Sequence, residues 1–166
     1  MWKAKSQVPE SVRPHVAPGE KVLALATVRD GGYLLASRTH LTHVDDGGVL
    51  MREAWCVFSA LTWDEDSGLA TLSHIDPAAP PLVIALEPAP SLDFLTVVRE
   101  GMDRARVFYA TSELSNGTQV SCWVLRDSRG ELFTLTTASG AIPPMERGEV
   151  DRLEARTRES VGLDPA

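Results

Sequence analysis

The 166-residue sequence lacks every short motif tied to a defined chemistry: GxGxxG, GxxxxGKS/T, HExxH, GxSxG and CxxC are all missing. No stretch approaches the roughly 18 uninterrupted apolar residues of a membrane-spanning helix. The opening MWKAKSQVPE has charges but no apolar segment behind them, which is not the pattern of a signal peptide. Together these absences lead to the expectation of a soluble, cytoplasmic protein. Cysteine is scarce too. Cys56 and Cys122 could form a single bridge at most, and their neighbours Trp55, Val57, Ser121 and Trp123 suit strands, so both read as small buried hydrophobes.

Positive charge is also in short supply. Sixteen Lys and Arg against 23 Asp and Glu leave a net charge of −7, which argues against nucleic acid as a partner because duplex affinity rests on phosphate neutralisation. The deficit is uneven: residues 1–43 hold six bases against three acids, and residues 44–166 hold ten against twenty. No basic run is long enough to form a polybasic tail. With 43% hydrophobic and 23% charged residues, the composition is that of an ordinary globular domain, which excludes disorder, collagen and coiled coil for the whole chain.

What is present is a succession of short β-compatible segments punctuated by turns. Residues 1–18 hold Pro9, Pro14 and Pro18 and are expected to form an irregular lead-in, with order starting near Glu20. Lys21 to Val28, Tyr33 to Ser37 and His40 to Val44 read as strands separated by Asp30-Gly31-Gly32 and by the residues after Ser37. Val49 to Trp63 is too long for one strand of a small sheet, so a break is expected between Ala54 and Val57. Leu69 to Ser73 follows Asp64-Glu65-Asp66-Ser67-Gly68, and Leu82 to Leu86 is wholly apolar, as for a strand buried on both faces. That makes about six strands before residue 91.

At Ser91, a plausible N-cap, the period changes. Leu92, Leu95, Val98, Met102 and Ala105 recur at helical steps, although Gly101 costs the helix about 1 kcal/mol relative to Ala. Val107 to Leu114, Thr118 to Arg126 and Glu131 to Ala138 then form a meander, with Asn116-Gly117 as a strong hairpin signal. A last helix places Val150, Leu153, Thr157 and Val161 on one face and offers Glu154 and Arg158 as an i, i+4 pair. The expected fold class is mainly β (α+β): a partly open antiparallel barrel or sandwich with a capping helix over residues 19–104, then a three-stranded meander and C-terminal helix over 105–166, packed together as one compact unit.

Each chemical candidate has a plainer competing role. His40 and His43 form HxxH, but on a strand that spacing sends the rings to opposite faces, and His15 lies in the lead-in, so no metal site is expected. His74 reads as a hydrogen-bonded strand-edge residue. The acidic stretch from Asp64 resembles a calcium loop only at its start, because Gly68, Leu69 and Ile75 occupy positions where the loop needs an oxygen ligand, Gly and Glu. Trp55, Trp63 and Trp123 read as core anchors, with a ligand groove as the alternative. Trp2, beside Lys3 and Lys5, is a candidate to touch a partner or a membrane surface.

Arg38-Thr39-His40-Leu41, then Trp55 to Asp64, then Gly68-Leu69-Ala70-Thr71-Leu72, resemble the bacterial pleckstrin-homology-like pattern. With Phe94 to Glu100 in the following helix, the chain resembles a family of small uncharacterised actinobacterial proteins over about residues 19–138. The resemblance implies a seven-stranded, partly open barrel capped by a helix, and a protein that binds lipids, peptides or protein partners without catalysis. Lipid-binding members gather basic residues around the first hairpin. Here Lys21, Arg29 and Arg38 are sparse, and phosphoinositide binding is not carried over.

The expectation is therefore a non-catalytic binding or scaffold protein, not an enzyme, with an unidentified protein as partner, no cofactor and no nucleic acid. No catalytic residue is assigned and the ligand-binding residues stay open. A small-ligand or membrane-surface module is the alternative, an enzyme built from dispersed histidines and a carboxylate is third, and a homo-oligomer stays open.

Overall fold

A computed structural model describes residues 8–164. Among these, ten strands form three antiparallel sheets accompanied by two α-helices. Strands β1 (Val22–Thr27), β2 (Tyr33–Ser37), β3 (His40–Asp45) and β4 (Gly48–Ala54) pair in chain order, as do β5 (Phe58–Asp64), β6 (Leu69–His74) and β7 (Leu82–Ala85). The count before the helix is seven rather than six. The fifteen-residue stretch is broken by a 3-10 turn at Trp55–Val57, where the two sheets exchange the chain.

The two sheets also touch along their other side. Val28 bridges Leu86, the Arg29 amide donates to the Ala85 carbonyl at 2.8 Å, and the Glu87 amide donates to the Thr27 carbonyl at 3.1 Å. These few bonds do not close a barrel. The space between the sheets holds Leu34, Leu41, Trp55, Phe58, Leu72 and Ile84, all at most 5% exposed. β7 corrects the sequence expectation: it is an edge strand with Val83 52% exposed, not one buried on both faces.

Helix α1 (Leu92–Ala105) plugs the open end of this body. Ser91 caps it, its Oγ accepting from the Phe94 amide at 3.1 Å. The buried stripe is Phe94, Val98, Gly101, Met102 and Ala105; Leu92, expected inside, is 78% exposed, and Leu95 is half-buried. Gly101 is more than a weak point. A Cβ there would lie 2.6 Å from the Trp55 indole, so only glycine lets the helix reach the ring.

Beyond α1 the meander pairs β10 (Leu132–Ala138), β9 (Gln119–Arg126) and β8 (Arg106–Glu113), with Gly117 at φ 80° in the expected Asn-Gly hairpin. Helix α2 (Arg147–Ser160) covers one face, burying Leu153 and Thr157 over Leu114, Val120 and Cys122. The expected Glu154–Arg158 pair does not form. Both side chains reach Thr134 instead, whose hydroxyl donates to Glu154 at 2.9 Å and accepts from Arg158 at 3.0 Å. The meander meets the body through Leu125, which enters the main core, and through Trp123 against it.

The lead-in is irregular, as its prolines require, but order begins before Glu20. A 3-10 turn at Arg13–His15 and a 1%-exposed Val12 dock on Leu35 and Val44 of the four-stranded sheet. Trp2, Lys3 and Lys5 lie outside the described residues.

Candidate functional site

Three structural segments converge beside Trp55. The β2–β3 connection brings Arg38 and Thr39, the C-terminal turn of α1 brings Asp103, Arg104 and Ala105, and the end of β9 with its turn brings Arg126 to Gly130. They enclose a groove of about 670 Å³, with Trp55 and Gly101 in its floor. The indole is fixed, its Nε1 donating to the Ser37 carbonyl at 3.0 Å.

Of the five arginines around this groove, two are committed to acids. Arg106 donates to Asp103 and to the Ser59 carbonyl, both at 2.9 Å, and Arg129 lies 3.5 Å from Asp127. Asp127 also accepts from the Glu131 and Arg129 amides, and these bonds, with the Glu131 amide leading, lower its carboxyl below the usual range. Arg38, Arg104 and Arg126 have no carboxylate within ion-pair distance among the described residues. All three are exposed. A second depression, which shares Arg38, Thr39 and Arg104, continues the groove towards Lys21 and Arg52.

Glu20, Ser37, Thr39 and Arg52, which line that second depression, form a polar cluster with His40. Glu20 accepts from the Ser37 hydroxyl at 2.6 Å and from Arg52 at 3.2 Å, while His40 Nδ1 sits 3.6 Å from Glu20 and 2.8 Å from the Thr39 hydroxyl. Burial, and then the Arg52 charge, push the His40 pKa down. Ser, His and Glu are thus together, but the serine hydroxyl donates directly to the carboxylate and Ser37 is only 2% exposed, which suits a structural pin rather than a nucleophile.

The other sequence candidates do not join this place. His43 is on the same strand as His40, three residues on, its Nε2 buried and without a partner, and desolvation lowers its pKa. His74 packs its ring on Phe58 at 5.3 Å, and its Nδ1 is buried without the expected hydrogen bond. Asp64 is satisfied by the Ser67 hydroxyl and the Asp66 amide, so the acidic loop is a self-bonded turn. Among the described residues no three His, Cys, Asp or Glu side chains gather as metal ligands. Both cysteines are buried free thiols. Of the tryptophans among the described residues, Trp55 alone is a fully buried anchor at 2% exposure; Trp63 and Trp123 stand half-buried at the margin of the core. Arg29, near the first hairpin, is spent on Glu87 at 3.1 Å and the Ser67 carbonyl at 2.9 Å.

No family model, curated protein or solved structure matches the chain. Among the described residues no helix is long and apolar enough to cross a membrane. The groove therefore stands on its own geometry. No linear signal points to it, because its three arginines without an acid partner among the described residues lie at positions 38, 104 and 126, and two of them come from the acidic part of the chain.

Proposed function

We propose that the protein is a non-catalytic, cytoplasmic binding module of pleckstrin-homology-like build, and that its arginine-lined groove receives an acidic segment of a protein partner. Seven antiparallel strands divided four and three, followed by a helix that plugs them, support the architectural half of this reading. The observation that carries the functional half is the set of three uncommitted arginines around one groove in a chain of net charge −7. In so acidic a chain, ion pairing would neutralise such a cluster cheaply, and leaving it open creates a local positive field that attracts and orients anionic partners. Arg104 gains from its place in the last turn of α1, where the helix dipole favours a cation.

The test is fluorescence anisotropy of a labelled oligoglutamate peptide against the full chain and the triple variant R38E/R104E/R126E. Exposed ion pairs contribute about 0.2–1 kcal/mol each, so reversing three charges is expected to weaken binding about tenfold or more. Binding should also fall as salt rises. Equal affinity for the parent and the triple variant would refute the reading. So would preferential co-sedimentation with phosphatidylserine vesicles, which would turn the groove towards a membrane surface instead.

A further inference from the structure

The arginine groove adjoins a second surface of opposite character. On the face of the meander not covered by α2, Tyr109 of β8, Trp123 of β9 and Leu135 of β10 stand in register across the three strands. Tyr109 is 58% exposed, Leu135 37% and the diagonal neighbour Phe133 38%. Tyr109 stacks on Trp123 with ring centroids 4.9 Å apart and planes at 24°, and Trp123 Nε1 donates to the Thr137 hydroxyl at 3.3 Å, which fixes the ring. A depression over this stack is lined by Asp103, Arg106, Val107, Phe108, Tyr109 and Trp123. Its two charged members are bonded to each other, which leaves no unpaired charge among the residues that line it. Rigid, clustered aromatic surface of this kind marks interaction sites.

Asp103, Arg106 and Val107 belong to both this depression and the arginine groove, so one ligand can run from one to the other. Trp123 and Arg126, three residues apart on β9, leave opposite faces of the strand, so the link between the two surfaces runs through the shared Asp103, Arg106 and Val107 at the sheet's end and not along β9. We infer that the acidic segment carries an aromatic or branched apolar anchor beyond its acidic run, and that the anchor seats on the Tyr109–Trp123 stack while the acids lie in the adjoining arginine groove. This rests on the groove reading above. The occupant is set by charge complementarity at one end and by its absence at the other: an acid is favoured beside Arg126 and has no free cation to meet over the stack.

The test compares two labelled peptides on the full chain, both with an oligoglutamate run, one with Trp beyond the last Glu and one with Ser there. Seating the anchor is expected to tighten binding about tenfold. The variant Y109S/L135S, altered only at exposed positions, should bring the Trp peptide down to the affinity of the Ser peptide. R126E should weaken both peptides. If both bind the parent equally while R126E weakens both, the anchor inference falls and the groove reading stands. An anchor advantage that persists in Y109S/L135S also overturns the inference, because the anchor then sits elsewhere. Binding of neither peptide at low salt overturns the groove reading and the anchor with it.

Discussion

The seven-strand body and the three-strand meander are made of the same alternating strands, yet they solve burial differently. The body places two sheets and α1 around one interior that takes in Phe58, Phe94, Trp55 and a dozen or more smaller side chains. The meander has one sheet, one covered face and a small interior of Leu114, Val120, Cys122 and Leu153. Its other face is half covered: Leu125 sinks into the body while Tyr109, Phe133 and Leu135 remain at the surface. A single sheet can bury both faces only against two partners, and the meander has α2 for one and only part of the body for the other. The exposed remainder is what the body's construction denies itself, and it is where a binding surface can exist without unfolding anything.

The comparison is sharpest where the core is largest. Phe94→Ala removes a 1%-exposed ring at the contact of α1 with both sheets and is expected to lower the unfolding free energy by about 3–5 kcal/mol, read from urea midpoints. Leu153→Ala, in the small core, should cost about 2–3 kcal/mol. Its signature should differ: hydrogen exchange is expected to rise in β8, β9 and β10 and not in β1 to β7. Uniform acceleration throughout the chain would mean that body and meander open as one unit, and the contrast would collapse.

Gly101→Ala probes the contact of α1 with the rest of the body. Helix propensity alone gives Ala an advantage of about 1 kcal/mol, but the added methyl would meet the Trp55 ring at 2.6 Å. Overpacking wins, and a net loss of about 1–2 kcal/mol is expected. A stabilised variant would show that the ring yields. The same substitution should disturb the groove, whose floor Gly101 and Trp55 share, so oligoglutamate affinity is a second readout.

Turns and strand alternation were legible because they are written locally. Asp30-Gly31-Gly32 and Asn116-Gly117 mark hairpins by backbone freedom, and fifteen residues from Val49 to Trp63 exceed what one strand needs. The phase of α1 was less so. Two three-residue steps from Leu92 to Val98 turn a helix by about 600°, some 120° short of two turns, so Leu92 leaves the face that Phe94 shares with Val98. The β7 run misled because apolar composition does not distinguish a central strand from an edge one. The arginine groove was not readable at all: Arg38, Arg104 and Arg126 carry no spacing, and what distinguishes them is the lack of an acid nearby, a property of three-dimensional neighbourhood.

The smallest expected effect is on pH dependence, and it belongs to the body alone. His40 and His43 both lie in β3, and desolvation is the main cause that lowers each pKa in the folded chain; Arg52 adds to it at His40, while Glu20 and Glu53 oppose it there and Asp45 opposes it at His43. In the unfolded chain both rings titrate near the ordinary value of about 6.5. Below that pH the unfolded state takes up protons that the folded state refuses, so the stabilisation is complete above about 6.5 and is lost as pH falls through the lowered folded values. His43 is the cleaner probe, because its Nε2 is buried with no partner, whereas His40 sits among Thr39, Arg52 and Glu20. His43→Gln should flatten the fall in urea midpoint between neutral and mildly acidic pH, and the fall should accompany exchange in β1 to β4 rather than in β8 to β10. A variant that keeps the full pH slope would assign it to His40 or to groups outside this sheet.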